Sequence, residues 1–355
     1  MSNKIRLALI GAGAMGRHHL KVALANPDIQ VVGVSDPTEA VRQDVTALGI
    51  LAFADHLQML DEVAPEGVVI SAPNSLHAPL AVDCLDRGVA TLIEKPVADS
   101  LDGARQVIET GKRTGAPVLV GHHRRHNSVL KAAAGHVRGG GLGQVTAVNG
   151  MWLRRKPDAY YQDEWKLDAA RGGGVLLINA IHDIDCLRMI CGDITDICAA
   201  SSNATRNLPV EDTAAAILRF ENGALGTFIV SDNVVAPWCW EMTSREDPRF
   251  AHVPENSYII SGTEASLAVP TLERWSNASD GGRDAAFARQ RLYHVPQDSM
   301  TLQMQHFVRV IRRQELPMID GDSAMRTLAV TLAISLSQRD GGWINVDRLI
   351  NPVLA

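Results

Sequence analysis

"IRLALIGAGAMG", residues 5–16, decides the fold of the first third of the chain. Its first six residues are an apolar run of strand length that meets glycines, and a helix-like stretch over 14–25 then stops at Asn26-Pro27. Strand, tight turn and helix follow in that order. Gly11, Gly13 and Gly16 stand in G-x-G-x-x-G register, with Ala14 and Met15 opening the helix between them. In this context the glycines allow a tight turn, a close backbone approach to a pyrophosphate, and close helix-to-strand packing, with the helix N-terminus facing the anion. Asp36 ends the next strand, "QVVGVSD" (30–36), 25 residues after Gly11, near the offset of an acid that bonds a ribose 2′-hydroxyl. Its charge repels a 2′-phosphate, and no Arg or Lys follows it before Arg42. The pattern therefore favours NAD over NADP.

Working outward, "GVVIS" (67–71), "VATLI" (89–93) and "PVLVG" (117–121) read as buried strands. They alternate with the helices "HAPLAVDCLDRG" and "SLDGARQVIETGKRTG", the latter capped by Ser100 and ended by Gly115. Strands alternating with helices imply right-handed crossovers and a parallel sheet covered on both faces. Ligands of such sheets bind at the carboxyl edge. That edge receives Ser71, Pro73, Asn74 and His77 from "SAPNSLHAPL", and Glu94 and Lys95 from "EKPVA" (94–98). His77 reads equally as a helix-start residue.

Beyond about Gly121 the rhythm changes. "GQVTAVNGMWLRR" and "DTAAAILRFENGALGTFIVSD" are longer strands, the second folded over Asn222-Gly223, a strong hairpin signal. Between them "GGGVLLINAIHDIDCLRMICG" takes helical spacing after Gly174, and helical stretches 302–313 and 324–337 close the chain. The expected division is a Rossmann-type α/β domain over 1–122 and an α+β domain with a mainly antiparallel sheet over 123–355.

The totals agree with two domains. A chain of 355 residues, 46% hydrophobic and 21% charged, suits a globular protein, and its net charge of −6 argues against nucleic-acid or anionic-membrane partners, leaving small molecules. Five cysteines, odd in number and without metal-ligand spacing, read as reduced thiols. The triplet His122, His123 and His126 has no acid spaced to complete a site, so no metal is expected. Neither a leader pattern nor a membrane-length apolar run is present, and a cytoplasmic enzyme is the expectation.

"GAGAMG", "SAPNSLHAPLAVDCLDRGVATLIEKP", "GGGVLLINAIHDID" and "ISGTEASLAV" together resemble the glucose-fructose oxidoreductase, inositol dehydrogenase and MocA family over nearly the whole chain. The resemblance implies a C-terminal domain with a large open sheet that binds substrate and mediates oligomerisation, to a dimer or tetramer. It also implies hydride transfer between NAD(P) and a sugar, polyol or related hydroxyl compound. By it, Lys95 contacts the reacting hydroxyl and the cofactor, and His182 is the base. Many family members carry Asp one helical turn before that His, where this chain has Ile178. Asn179 and Asp185, three residues before and after His182, are the candidates to contact substrate and orient the ring. "GHHRRHN" (121–127) resembles the family's cofactor-and-substrate segment, which makes Arg124 a cofactor contact and Arg125 a substrate contact. Arg154 and Trp165, in the Arg-, Tyr- and Trp-rich stretch 152–174, complete the expected substrate site, with Tyr160 or Tyr161 as further stacking rings.

The expected activity is thus NAD-dependent oxidation of a secondary alcohol of a sugar, cyclitol or polyol. The basic cluster Arg124, Arg125, Arg154, Arg155 and Lys156 admits a carboxylated substrate, a sugar acid or cyclic dihydrodiol, instead. An NAD-retaining glycosidase, as among some relatives, and a non-catalytic NAD-binding sensor are also compatible with the sequence.

Overall fold

Short apolar runs become strands here where helices cover both of their faces. In the computed structural model, which describes residues 4–277 and 285–351, all four residues of Gly67–Ile70 and of Ala90–Ile93 are buried. The chain divides into two compact units, Met1–His123 with Met300–Leu328, and Arg124–Ser299 with Ala329–Ala355.

The first unit carries six strands, β1 (Ile5–Ile10), β2 (Ile29–Ser35), β3 (Ala52–Phe53), β4 (Gly67–Ile70), β5 (Ala90–Ile93) and β6 (Val118–Val120). They form one sheet in the order β3-β2-β1-β4-β5-β6, parallel throughout. This is the doubly wound arrangement, with the strand order reversing between β1 and β4. The connecting helices are α1 (Ala14–Ala25), α2 (Glu39–Ala47), α3 (His56–Val63), α4 (His77–Asp86) and α5 (Leu101–Thr114). Helix α5 starts and stops as its sequence requires: Ser100 Oγ accepts from the Gly103 N–H at 3.2 Å, and Gly115 turns left-handed at φ 71°.

Division of the chain into two consecutive blocks misses one feature. Residues 300–328 pack with the first unit, because its sheet and helices leave room for them. Gly67 has no side chain where Ile311 Cδ1 sits, only 2.5 Å from where a Cβ would be, and a Cβ on Gly321 would likewise lie 2.6 Å from Ile108 Cγ1. The Val120 N–H donates to the Ile319 carbonyl at 2.9 Å, and Arg312 pairs with Asp28 at 3.0 Å.

The second unit is built on nine strands, β7 (Val145–Leu153), β8 (Ile194–Ser202), β9 (Thr213–Phe220), β10 (Leu225–Ser231), β11 (Tyr258–Gly262), β12 (Ala265–Val269), β13 (Glu273–Asn277), β14 (Phe287–Arg291) and β15 (Ile344–Asn345). Their order is β14-β13-β12-β11-β7-β10-β9-β8-β15. Strands β9 and β10 form the expected hairpin, with Gly223 at φ 87° in its turn. β10 pairs with β7 in parallel, and the other described pairs are antiparallel. Helices α6 (Ser128–Arg138) and α7 (Ile181–Cys191) lie in this unit. On one face of the sheet Gly150 leaves room for Leu187 of α7, whose Cδ1 lies 3.0 Å from where a Cβ would be. Register places Ile217, Ile229, Leu225, Ile259 and Trp275 on the other face, and all five are exposed.

Gly67→Val forces a branched side chain into the space of Ile311. Overpacking of this kind costs about 1–3 kcal/mol. The thermal midpoint followed by circular dichroism should fall by several degrees, and an unchanged midpoint would show that the returning segment does not bear on β4.

Candidate active site

At the carboxyl edge of the parallel sheet the backbone ladder continues beyond the strands. The Gly11 N–H donates to the Ser35 carbonyl at 2.8 Å, Ser71 to Ile10 at 2.8 Å, Glu94 to Ile70 at 2.9 Å and Gly121 to Ile93 at 2.7 Å. These bonds set Gly11, Ser71 and Glu94 along one edge. Within the glycine turn the three positions differ. A Cβ on Gly11, at φ 86°, would lie 2.5 Å from the Ser71 carbonyl oxygen, and one on Gly16 would lie 2.1 Å from that of Gly11. Around Gly13 nothing lies within 4 Å, and Gly13, Ala14 and Met15 are exposed. No side chain caps the start of α1, so its first N–H groups stay available to an anion. These features fit a dinucleotide pyrophosphate.

Asp36 is buried, and its carboxylate accepts from the N–H groups of Ala12 and Thr38, each at 2.9 Å. Arg42 turns to the Asp36 and Pro37 carbonyls, at 2.8 and 2.7 Å. Pro73 is exposed, and Ser71 and Asn74 are half-buried beside it. His77 differs from its expected role as a cofactor contact. It is buried, with Nδ1 2.6 Å from the Pro96 carbonyl and Nε2 2.9 Å from that of Ala72, and burial pushes its pKa down. The two ring nitrogens thus face backbone carbonyls of the loops after β4 and β5, and the neutral ring donates to one of them.

Glu94 is a support in the same way. Its Oε1 lies 2.6 Å from His19 Nε2 on α1, and its Oε2 accepts from the Lys95 N–H at 3.2 Å. Burial opposes its charge, but the His19 bond and the charges of His19, His123 and Lys95 outweigh this and hold the carboxyl down at about 2. Gly121 has no side chain because the Glu94 carboxyl lies 3.2 Å from where its Cβ would be. Lys95 follows, half-buried, at the end of β5.

In the second unit a one-turn π-helix, Leu176–Ala180, leads into α7, with the partly exposed His182 in the first turn of α7. Two of the glycines before it are required by close approach of the chain itself. A Cβ on Gly173 would lie 2.5 Å from the Lys166 carbonyl oxygen, and one on Gly174 2.3 Å from Glu211 Oε1, which accepts from the Leu176 N–H at 3.0 Å.

The two arginines of "GHHRRHN" stand elsewhere than expected. Arg124 is buried, bonded to Asp183 at 3.3 Å and Glu241 at 2.8 Å, with Glu246 at 3.7 Å and the Trp240 ring 5.7 Å from its Cζ. Arg125 grips Asp185 through two bonds of 2.8 and 2.7 Å, which engages the acid expected to orient His182. The Tyr258 hydroxyl donates to Asp183 at 2.6 Å, and Trp152 Nε1 to Glu241 at 2.9 Å. Burial is the main reason that Asp183 rises to about 7, with Glu241 adding repulsion and Arg124 opposing. Neither Glu241 nor Tyr258 carries a local sequence signal.

Asn179 Oδ1 accepts from Lys156 Nζ at 2.5 Å. Tyr160 lies between two ammonium groups, Lys156 at 4.2 Å and Lys166 at 3.8 Å from its ring centre, and the Tyr161 hydroxyl bonds Asp232. Both tyrosines are therefore engaged within the unit. Trp165 is half-buried, and Arg154 lies over the Phe250 ring at 4.4 Å. Among the described residues no cluster of His, Cys, Asp and Glu has a metal-holding arrangement, and no helix is long and apolar enough to cross a membrane.

A doubly wound sheet whose edge presents a glycine cradle, an uncapped helix and a fixed acid defines a dinucleotide-binding protein. Residues 5–122 match the model of an oxidoreductase family with an NAD-binding Rossmann fold, and residues 130–268 that of the GFO/IDH/MocA C-terminal domain. The chain belongs to the Gfo/Idh/MocA family of NAD-binding oxidoreductases. It is 24% identical to scyllo-inositol 2-dehydrogenase (NAD(+)) of Bacillus subtilis, over 98% of each chain. It is 27% identical to inositol 2-dehydrogenase of Rubrobacter xylanophilus, over 99% of this chain and 96% of that one. The crystal structure of the WlbA dehydrogenase from Bordetella pertussis, in complex with NADH and UDP-GlcNAcA, shares the fold at a TM-score of 0.80 and 22% identity, over 97% of this chain and 99% of that one.

Glu94 gives this site an acid-sensitive element. Its pKa in the folded chain, about 2, lies below the ordinary 4.5, so its contribution is present above pH 4.5 and is lost as pH falls towards 2. The difference corresponds to about 3 kcal/mol. In Glu94→Gln, denaturant unfolding should show a loss of stability between pH 4.5 and 2 smaller by about that amount than in the native chain. Equal losses in the two would contradict the His19–Glu94 pair.

Proposed function

We infer that the protein is an NAD-dependent dehydrogenase acting on a secondary alcohol of a sugar, cyclitol or polyol. The observation that carries this reading is the placement of Lys95: Glu94, bonded to α1 through His19, holds the lysine at the edge that also bears the glycine cradle. Gly11, Gly13 and Gly16, with the start of α1, would hold the pyrophosphate. Asp36, already oriented by two N–H groups, would accept from the ribose 2′-hydroxyl and repel a 2′-phosphate, which favours NAD over NADP. Ser71, Pro73 and Asn74 would line the same edge. Bound NAD supplies the hydride acceptor.

In this mechanism the Lys95 ammonium binds the substrate hydroxyl oxygen and stabilises negative charge as it develops there. His182 takes the hydroxyl proton during oxidation and returns it during reduction. Asn179 is a substrate contact, and Asp185 acts through its pair with Arg125, holding the helix of His182. Three of the five members of the basic cluster that admits a carboxylated substrate face acids of their own unit: Arg124, Arg125 and Lys156. This pairing supports an uncharged hydroxyl compound. Trp165 and Arg154 are its remaining expected contacts. The apolar open face of the nine-stranded sheet supports a homo-oligomer, with a second copy covering Ile217, Ile229 and Ile259.

Incubating the protein with NAD and a panel of sugars, cyclitols, polyols and sugar acids, and following absorbance at 340 nm, should reveal a neutral polyol or sugar that is oxidised. If no member of the panel produces NADH, the dehydrogenase reading is rejected. Lys95→Ala should lower kcat by about 10²–10³-fold while NAD binding, read by tryptophan fluorescence, persists. Asp36→Ala should reduce the ratio of kcat/KM with NAD to that with NADP by about tenfold, and an unaltered ratio would refute the 2′-hydroxyl contact.

A further inference from the structure

Lys156 is 2% exposed and sits one residue beyond the Arg-Arg pair that leaves β7. Its ammonium meets four groups: Asn179 Oδ1 at 2.5 Å, Asp232 Oδ2 at 3.5 Å, and the rings of Tyr160 at 4.2 Å and Trp152 at 5.6 Å. Asp232 is itself held by the Tyr161 hydroxyl and by Arg206, 3.7 Å away. An ammonium has three donors and no acceptor, so the edge of an amide that faces it must be the oxygen. The two N–H bonds of Asn179 are then turned to the opposite side. Asn179 is half-buried and stands three residues before His182, at the junction of the π-turn with α7. The π-turn Leu176–Ala180 contains Asn179 and interrupts the regular α-helical hydrogen bonding just before His182.

We propose that Lys156 is a positioning residue that fixes Asn179 as a hydrogen-bond donor, so that the site selects substrates carrying an acceptor oxygen on the carbon beside the reacting one. The inference rests on the dehydrogenase reading. A vicinal diol, as in a cyclitol or sugar ring, meets this requirement, and its monodeoxy counterpart does not. The donor sense of the amide persists while Lys156 is protonated. Burial pushes that amine down to about 8 against the attraction of Asp232, with Arg154 adding to the fall and Glu241 opposing it. Loss of the charge removes the donor-only character of the group that faces the amide oxygen.

Two measurements test this. The first needs no substrate: with lysine labelled at the ε-carbon, one resonance should titrate near pH 8 and vanish in Lys156→Met. In Asn179→Ala its midpoint should fall, because the ammonium loses an acceptor, and an unmoved midpoint would overturn the contact. The second is a double-mutant cycle with the best alcohol of the panel. Lys156→Met should raise KM for that alcohol about five- to tenfold at unchanged NAD affinity, and should add nothing in an Asn179→Ala background. The monodeoxy counterpart should show no such loss. Additive effects of the two substitutions, or equal losses with both alcohols, would show that Lys156 acts only by holding its loop. An intact titration with no alcohol turned over would overturn the dehydrogenase reading, and with it the substrate half of this proposal.

Discussion

A parallel strand ends with backbone groups that still require partners, and the first sheet supplies them from the loops of adjacent strands. Gly11 bonds Ser35, Ser71 bonds Ile10, and Glu94 bonds Ile70. Because buried amides left without partners are costly, these loops have little freedom to move away from the edge. The rest of the cofactor cradle depends on this. Gly11 approaches Ser71 so closely that only glycine fits, and Asp36 reaches the Ala12 N–H because the loops after β1 and β2 are held side by side.

The second unit relies on a different force. Arg124 is enclosed with Asp183 of α7 and with Glu241, which also accepts from Trp152 of β7, while Asp183 accepts from Tyr258 of β11. One guanidinium thus ties the helix of His182 to two strands beneath it. Burying several charges is expensive unless each is satisfied, and here Asp183 and Glu241 each have a bond to Arg124 and a second donor, Tyr258 or Trp152. A buried cluster of this kind is weak evidence for net stability; its visible effect is to connect α7 with β7 and β11.

The parts of the molecule that are legible in the sequence are those set by local pattern. The glycine register, the buried strands, the Ser100 and Gly115 ends of α5 and the Asn222-Gly223 hairpin all reflect neighbours within a few residues. The polar interior of the second unit obeys no such pattern. Arg124 meets acids 59 and 117 residues away, and Arg125 meets one 60 residues away, so neither can be told from a ligand-binding arginine by its surroundings in the chain. His77 and Glu94 lie in the region the sequence indicates but turn to other neighbours, since strand-end position does not reveal whether a side chain points outward or back. Lys156 reads in the sequence as one more charge in a basic run. Its burial depends on Asp232 and Asn179, which come from two other segments.

The nine-stranded sheet has one further property. Strand β7 has no neighbour close to it in the chain: Asn149 reaches Thr227 of β10 across 78 residues, and Thr146 reaches Ser261 of β11 across 115. The strands on either side, by contrast, are joined to their own partners by short turns. Closing such long loops costs more conformational entropy than closing a hairpin, so the pairings of β7 are the entropically expensive ones of this sheet. It therefore joins two ribbons that share no other described strand pairing, and a change in β7 bears on both of them at once.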